Sequence, residues 1–418
     1  MGKRRLGVLA VAMALLVASC GGGDQPALES PGAGDSTEEP SGNFVKIGLL
    51  GDLTGKNSNL VTPARDAARL AFEQANEKGD LPVRIRLEQV DNKDGGKDPA
   101  PDLADKLIGD SKVVGVIGPA FSGETASSGA RFAAAGLTHI TQSATGPDLT
   151  KNGWKTFFRA LASDDVQGGQ TGDYIVKGRK LKKVALVNDK SEYGAGLAKA
   201  VADSVKKAGG QIVLDEGIEP TTDYRSIVDT VAARRPDVFY YAGYVGEGPL
   251  VVEQYRAAEE RRDGGASNRE GAGGDRGGKA LFMAGDGVKG AKFISDGGKA
   301  AEGAILTCPC LDPNAAEDEA SKKFASDFKK KYNREADIYS AEGWDVAQIF
   351  IAAVKAAGPN PTREAILQFV TNLKDFKGLS KTFNWTPEHE VKGGEITYVY
   401  EVKDKKYKLL GRVDELTK

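Results

Sequence analysis

The chain has few of the side chains on which common chemistries depend. Its 418 residues include only three Cys and two His, and the formal net charge is −2. A charge so close to zero gives no basic field for nucleic acid, and a zinc site needs about four ligands, mostly Cys or His. The motifs HExxH and GxSxG and the P-loop are also missing. These absences argue against an enzyme, and they predict no cofactor, no metal and no nucleic-acid partner.

The first residues indicate where the protein works. Lys3, Arg4 and Arg5 precede an apolar run over residues 6–18, which is shorter than the ~20 residues of a membrane span. This pattern predicts a signal peptide over residues 1–19. Val-Ala-Ser-Cys at residues 17–20 resembles the bacterial lipobox, and the resemblance implies that Cys20 is lipidated and holds the protein on the cell membrane. An ordinary secretory signal that contains a Cys is the alternative.

The segment after the lipobox has the composition of a tether. Residues 20–43 are rich in Gly, Pro, Ser and acidic side chains, so we expect a flexible linker and a globular body from residue 44 onward. No later apolar run reaches the length of a membrane span. Cys308 and Cys310 are the two remaining Cys. In an oxidising extracytoplasmic compartment we expect them to form a disulfide, and a pair of free thiols is the alternative.

The body alternates between strand and helix patterns. A strand over residues 45–50 and a helix over 63–77 open the first array, and the same rhythm restarts at residue 184. Two successive arrays predict an α/β fold of two doubly wound parallel-sheet lobes. Residues 259–278 interrupt the rhythm with Gly, Arg and Asp, which predicts a disordered surface loop. Residues 396–413 predict a terminal hairpin that turns at 404–405.

Polar side chains follow two strands of the first predicted lobe. Ser122 follows the strand over residues 113–117 and opens a helix, while Ser143, Ala144 and Thr145 follow the strand over 137–141. Ligands of such sheets bind beyond the carboxyl ends of the strands. Hydroxyls and free N–H groups at a helix start suit a carboxylate, although capping and turn formation are commoner uses of Ser and Thr.

Longer segments resemble bacterial branched-chain amino-acid-binding proteins. The segments are Asn-Asp-Lys-Ser-Glu-Tyr-Gly-Ala-Gly-Leu-Ala at 188–198, Phe-Tyr-Tyr-Ala-Gly-Tyr at 239–244, Phe-Met-Ala-Gly-Asp-Gly-Val at 282–288 and Thr-Gln-Ser-Ala-Thr-Gly-Pro-Asp-Leu-Thr at 141–150. The resemblance runs through residues 45–413 in order. It implies the periplasmic-binding-protein type I fold, in which two lobes are joined by a three-segment hinge. Lobe 1 would hold residues 44–162 and 309–383, and lobe 2 would hold 163–308 and 384–418.

The same resemblance implies the site. The ligand-binding residues would be Leu60, Phe121, Ser122, Ser143, Ala144, Thr145, Asp164, Tyr193, Tyr244, Asp286 and Tyr339. Ser122 and Thr145 would hold an α-carboxylate and Asp286 an α-ammonium, with Tyr193 and Tyr244 closing from lobe 2. The family has Glu at the position of Asp286 and Tyr at that of Leu60, which leaves the preferred side chain open. Cys308 and Cys310 fall near the second crossing between the lobes.

The function that follows is capture of a small amino acid, branched-chain by resemblance, for an ABC permease. The protein would act as a monomer held at the membrane by its lipid. A sensing or signalling receptor with the same two lobes is the alternative, as is a binder of amides or urea, and an enzyme is a remote third.

Overall fold

Two twisted sheets organise residues 43–93, 98–263 and 279–418, the part of the chain that the computed structural model describes. The first sheet has five strands in the order β2-β1-β3-β4-β5, and every pairing is parallel. The strands are β1 (Phe44–Gly51), β2 (Arg84–Asp91), β3 (Val113–Ile117), β4 (His139–Thr141) and β5 (Phe157–Arg159).

The second sheet has seven strands in the order β14-β13-β10-β9-β8-β6-β7. Pairings are parallel from β7 to β10 and antiparallel at β13 and β14. The strands are β6 (Lys183–Asn188), β7 (Gln211–Gly217), β8 (Val238–Ala242), β9 (Leu281–Ala284), β10 (Ile305–Cys308), β13 (Tyr398–Lys403) and β14 (Lys406–Arg412). A separate short pair joins β11 (Phe376–Lys377) to β12 (Thr382–Phe383).

Helices connect the strands of both sheets. Those of lobe 1 are α1 (Ser58–Lys78), α2 (Ala100–Gly109), α3 (Ser122–Ala134), α9 (Glu319–Tyr332), α10 (Ser340–Ala357) and α11 (Arg363–Thr371). Those of lobe 2 are α4 (Asp164–Asp173), α5 (Glu192–Lys207), α6 (Arg225–Arg234), α7 (Gly248–Asp263), α8 (Ala291–Ala301) and α12 (Val413–Leu416). None of the helices that the structure describes combines the length and the apolar character that crossing a membrane requires.

The two-lobed α/β prediction is confirmed, and its cause is visible in the strands. Central strands such as β3 and β8 are buried at every residue, as expected for parallel strands covered by helices on both faces. The terminal hairpin also turns where the sequence predicts, because Asp404 and Lys405 both adopt positive φ angles, as a two-residue type I′ turn requires.

The third crossing between the lobes comes later than the prediction of residue 384. The Trp385 ring packs 5.1 Å from the ring of Phe158, and the His389 ring stacks on Phe158 at 4.1 Å. Glu390 pairs with Arg159, also on β5. This segment therefore belongs with lobe 1, and the chain joins the second sheet only at β13. No strand or helix pattern marks the transition in the sequence.

The prediction of a disordered loop over residues 259–278 is wrong for its first residues. Residues up to Asp263 continue α7, and Glu259 is fully buried. Its carboxylate accepts hydrogen bonds from the Tyr255 hydroxyl at 3.2 Å and from the Ala280 backbone N–H at 2.8 Å, and it pairs with Arg256 at 2.8 Å. Residues 264–278 lie outside the described residues. The high charge of the segment predicts exposure, whereas the hydrogen bonds of Glu259 anchor α7 to the start of β9.

We expect Glu259→Ala to lower the free energy of unfolding by about 2–5 kcal/mol, because it leaves buried donors without their acceptor. Chemical denaturation measures the change. Glu260→Ala, on an exposed position of the same helix, is the matched control and should shift stability by about 0.5 kcal/mol or less. Equal effects of the two variants would show that Glu259 is no anchor.

Candidate functional site

A closed cavity lies between the two lobes at the carboxyl ends of both sheets. Its free volume is only about 10 Å³, far below the ~300–1,000 Å³ typical of ligand pockets, so its side chains or the two lobes must move apart to admit a ligand. Its lining residues are Leu60, Val61, Ala120, Phe121, Ser122, Ser143 and Tyr339 from lobe 1 and Tyr193, Tyr244, Asp286 and Gly287 from lobe 2. Eight of the eleven residues that the resemblance implies are in this set. The exceptions are Ala144, Thr145 and Asp164, which are buried behind the wall.

Lobe 1 presents hydroxyl and N–H groups to the cavity. Ser122 is the first residue of α3, where backbone N–H groups have no partner within the helix. Its Oγ accepts a hydrogen bond from the Gly146 N–H at 3.0 Å, so the Ser122 hydroxyl hydrogen can still be donated to a ligand. Ser143 instead donates its hydroxyl to the Ala120 carbonyl at 2.7 Å. Ser143 therefore shapes the wall, and Ser122 is the better ligand donor.

The carboxyl group of Glu124 fixes the loop that leads into α3, where the Ser122 hydroxyl lies. One oxygen of its carboxyl group accepts the N–H groups of Ala120 and Phe121, both at 3.1 Å, and the other accepts the Asn92 side-chain amide at 2.6 Å. Full burial raises the pKa of Glu124 to about 8. Sequence reasoning missed this residue, although Glu at the third helical position is a known capping signal.

Lobe 2 contributes an acid at the opposite side. Asp286 follows β9, and its carboxylate accepts hydrogen bonds from Gln167 Nε2 and the Tyr193 hydroxyl, both at 2.7 Å, and from the Tyr339 hydroxyl at 2.5 Å. Burial raises the pKa of Asp286, and the three donors counteract that rise. None of the cavity-lining residues in the described part of the chain is Lys, Arg or His. The site therefore holds a buried acid without a basic side chain beside it.

Two local features of the backbone position the Tyr339 hydroxyl and the Gln167 amide for their hydrogen bonds to Asp286. Tyr339 adopts φ +60° at the start of α10, a left-handed conformation that is costly for a bulky residue and that directs its hydroxyl at Asp286. Gln167 lies on α4, whose Gly168 and Gly172 face α5. A Cβ atom at either glycine would come within 2.5 Å of α5 side-chain atoms. These glycines let α4 approach closely and fix the position of Gln167, which sequence reasoning missed.

Contacts across the cleft hold the lobes together. The rings of Phe121 and Tyr244 meet edge to face at 5.1 Å. At the rim Lys56 pairs with Glu247 at 2.5 Å, and the Gly246 N–H donates to Asn57 Oδ1 at 3.0 Å. The structure therefore shows the closed arrangement, in which a ligand would be shielded from water.

The second crossing between the lobes carries the Cys pair. Cys308 ends β10, and a disulfide joins it to Cys310 in the structure, with a Cα–Cα distance of 5.1 Å. The Tyr400 hydroxyl donates to the Cys310 carbonyl at 3.0 Å. Oxidation of this pair in the native protein stays a prediction. Elsewhere in the described residues no cluster of three or more His, Cys, Asp or Glu side chains could hold a metal ion.

Glu124 makes stability depend on pH. Its folded pKa lies above its unfolded value, so its stabilising contribution is complete below about pH 4.5 and is lost as the pH rises through about 8. The slope for one proton is ~1.4 kcal/mol per pH unit. We expect Glu124→Gln to flatten the fall in unfolding free energy between pH 5 and 8. Denaturation at constant salt measures it, with exposed Glu253→Gln as control. A Glu124→Gln profile parallel to wild type would contradict this prediction.

Two relatives of this chain are named as amino-acid-binding proteins. A Leu/Ile/Val-binding protein of Rhizobium johnstonii is 29% identical over 335 residues, which are 80% of this chain and 84% of the relative. An amino acid binding protein of Pseudomonas aeruginosa is 30% identical over 325 residues, 77% of this chain and 81% of the relative.

Solved structures give the same fold. A branched-chain amino acid transporter substrate-binding protein of Streptococcus pneumoniae, in complex with isoleucine, has a TM-score of 0.75 and 25% identity, covering 88% of this chain and 100% of the other. A solute-binding protein of R. palustris in complex with benzoate has a TM-score of 0.76 at 22% identity, covering 89% and 96%. Residues 45–407 match the family model described as periplasmic binding protein, and the chain belongs to this family, with the type I fold.

Proposed function

We propose that the protein is an extracytoplasmic solute-binding lipoprotein that captures an amino acid in the interlobe cavity and delivers it to an ABC importer. The observation that carries the proposal is the polarity of the cavity. Asp286 faces it from lobe 2, while the Ser122 hydroxyl and the start of α3 face it from lobe 1. A zwitterionic α-amino acid presents an ammonium and a carboxylate that match these two sides.

The energetics favour an ammonium over an anion near Asp286. A charge taken out of water needs a partner or binding fails, and Asp286 has hydroxyl and amide donors but no cationic side chain in the lining. A carboxylic acid such as benzoate would leave this acid uncompensated. The relatives named for Leu, Ile and Val binding, and the apolar Leu60, Val61 and Ala120 in the wall, support a branched-chain side chain.

The test is calorimetry with L-leucine, L-isoleucine and L-valine against 4-methylpentanoate, which has the leucine skeleton without the ammonium. We expect at least one amino acid to bind and 4-methylpentanoate to bind far more weakly. Urea and acetamide are included because they bear no charge. If 4-methylpentanoate or an amide binds as tightly as the best amino acid, the amino-acid proposal is wrong.

Substitutions on the two sides of the cavity should weaken ligand binding in a defined order. Asp286→Asn removes one member of a buried charge pair, which costs ~2–5 kcal/mol, or roughly thirty- to several-thousand-fold in affinity. Ser122→Ala removes a neutral donor to a charged group, at ~1.5–3 kcal/mol. Exposed Asp203→Asn is the matched control. If Asp286→Asn binds within about threefold of wild type, another acid holds the ammonium or the ligand has none.

Membrane attachment rests on Cys20, which lies outside the described residues. Cys20→Ala should shift the protein from the membrane fraction to the soluble fraction, because the acyl chains supply the anchor. Ser30→Ala, in the predicted linker, should stay with the membrane. Fractionation with immunodetection measures both variants. A Cys20→Ala variant that remains entirely in the membrane fraction would place the anchor elsewhere.

A further inference from the structure

Asp164 is a second buried acid beside the site, and its surroundings differ from those of Asp286. It opens α4, its backbone N–H donates to the Thr145 carbonyl at 2.9 Å, and it is fully buried. Neither of its carboxyl oxygens has a direct hydrogen-bond partner among the described residues. Asp286 accepts three donors. Donors stabilise an ionised carboxylate, so a proton shared between these two acids belongs on Asp164.

Gln167 follows Asp164 on α4 and contacts Asp286. Its Nε2 donates to Asp286 Oδ1 at 2.7 Å, and the reverse amide orientation would set Oε1 against a carboxylate. Gln167 Oε1 is then a buried acceptor that lacks a donor in the described residues. Asp164 is three positions earlier on the same helix, where side chains are neighbours. A protonated Asp164 supplies the missing O–H donor.

We propose that Asp164 is a positioning residue that carries a proton, donates it to Gln167 Oε1 and thereby keeps the Gln167 amide directed at Asp286. The inference rests on the proposed function, because Asp286 is there assigned to the ligand ammonium. Asp164 does not line the cavity, so this role would replace the direct ligand contact that the resemblance implies for it. Its role is to hold the amide that helps keep Asp286 ionised.

The charges that face Asp164 favour its neutral form. Burial raises its pKa well above the usual range, and nearby Asp286 adds to the rise, with a smaller contribution from Asp165. The Thr145 hydroxyl and Arg159 lower it. The Thr145 hydroxyl lies nearby but does not reach hydrogen-bond geometry with Asp164 in the structure, and Arg159 already pairs with Glu390 and donates to the Gly146 carbonyl at 2.6 Å. Within the described ranges, the other titratable groups that face Asp164 are four tyrosines, which are neutral at pH 7: Tyr193, Tyr240, Tyr244 and Tyr339.

The start of α4 acts in the opposite direction. A helix N-terminus stabilises a carboxylate by ~0.3–1 kcal/mol when exposed and by up to ~2 kcal/mol when partly buried. An uncompensated buried charge costs several kcal/mol, and Asp164 has neither a backbone N–H donor nor a basic partner at hydrogen-bond distance among the described residues. Burial beside Asp286 therefore outweighs the helix dipole.

The experiment compares Asp164→Ala with Asp164→Asn by calorimetry with L-leucine at pH 7. Asn keeps the size of Asp and can donate its N–H to Gln167 Oε1, so it should rescue the loss caused by Ala. We expect Asp164→Ala to weaken binding by about tenfold or more, as for a lost hydrogen bond near 1.5 kcal/mol, and Asp164→Asn to recover most of it. Asp165→Asn, an exposed neighbour, is the control.

Two results would overturn the assignment. If Asp164→Asn binds as weakly as Asp164→Ala, the ionised carboxylate itself is required. If Asp164→Ala binds like wild type, Gln167 needs no support from Asp164. Either result leaves the proposed function intact, since wild-type binding of L-leucine is measured in the same series.

A measurement without ligand keeps the test independent of the proposed function and of the folding of Asp164→Ala. Infrared difference spectra between wild type and Asp164→Asn at pH 7 should show the loss of a protonated-carboxyl C=O band that shifts in D2O, and Asp165→Asn should not. Loss of an ionised carboxylate band instead would place no proton on Asp164. If wild type fails to bind L-leucine, the proposed function is in doubt while the spectra still decide the protonation of Asp164.

Discussion

The buried carboxylate of Asp286 is the constraint on which the arrangement of the site depends. An ionised group in a closed cavity must be met by donors, and here the donors come from α4, α5 and the start of α10. Tyr339 belongs to lobe 1, whereas Gln167 and Tyr193 belong to lobe 2. The acid therefore receives all three of these hydrogen bonds only when the two lobes meet, and the close packing of α4 on α5 and the strained backbone of Tyr339 both serve that contact.

Much of this organisation could be predicted because it follows from local pattern. Buried parallel strands give continuous apolar runs, and their carboxyl ends lie at one edge of a sheet, so Ser122, Ser143 and Asp286 could be expected near a common cleft. Their individual roles as ligand contacts came from the family resemblance and stay predictions. The side chains that support them were not found, because Gln167 acts through a contact 119 residues away that no local periodicity records.

The errors have a shared physical origin. Glu259 lies in a highly charged segment, and charged side chains are expected to be exposed unless hydrogen-bond donors in the interior meet them. For Glu259 these donors are the Ala280 N–H and the Tyr255 hydroxyl. Likewise residues around His389 carry no strand or helix pattern, and tertiary contacts such as the stacking of His389 on Phe158 place them with lobe 1. Burial of polar groups and assignment of loops depend on tertiary partners, which composition does not specify.

The dependence of the site on contacts from both lobes also links ligand binding to closure of the two lobes. A ligand shifts a conformational equilibrium only by the difference in its affinity for the two states, and an amino acid bound as proposed, with its ammonium at Asp286 and its carboxylate at Ser122, would touch both lobes at once. The Lys56–Glu247 pair at the rim is half-exposed on the lysine side, where ion pairs contribute little. The Phe121–Tyr244 contact adds an aromatic pair worth about 0.5–1.5 kcal/mol beyond its buried area. Neither of these two contacts discriminates between solutes, so under the proposed function the charges of the ligand would supply the selective part of the closing free energy. A solute without an ammonium would leave Asp286 uncompensated in the same closed cavity, so closure and selectivity arise from one electrostatic requirement.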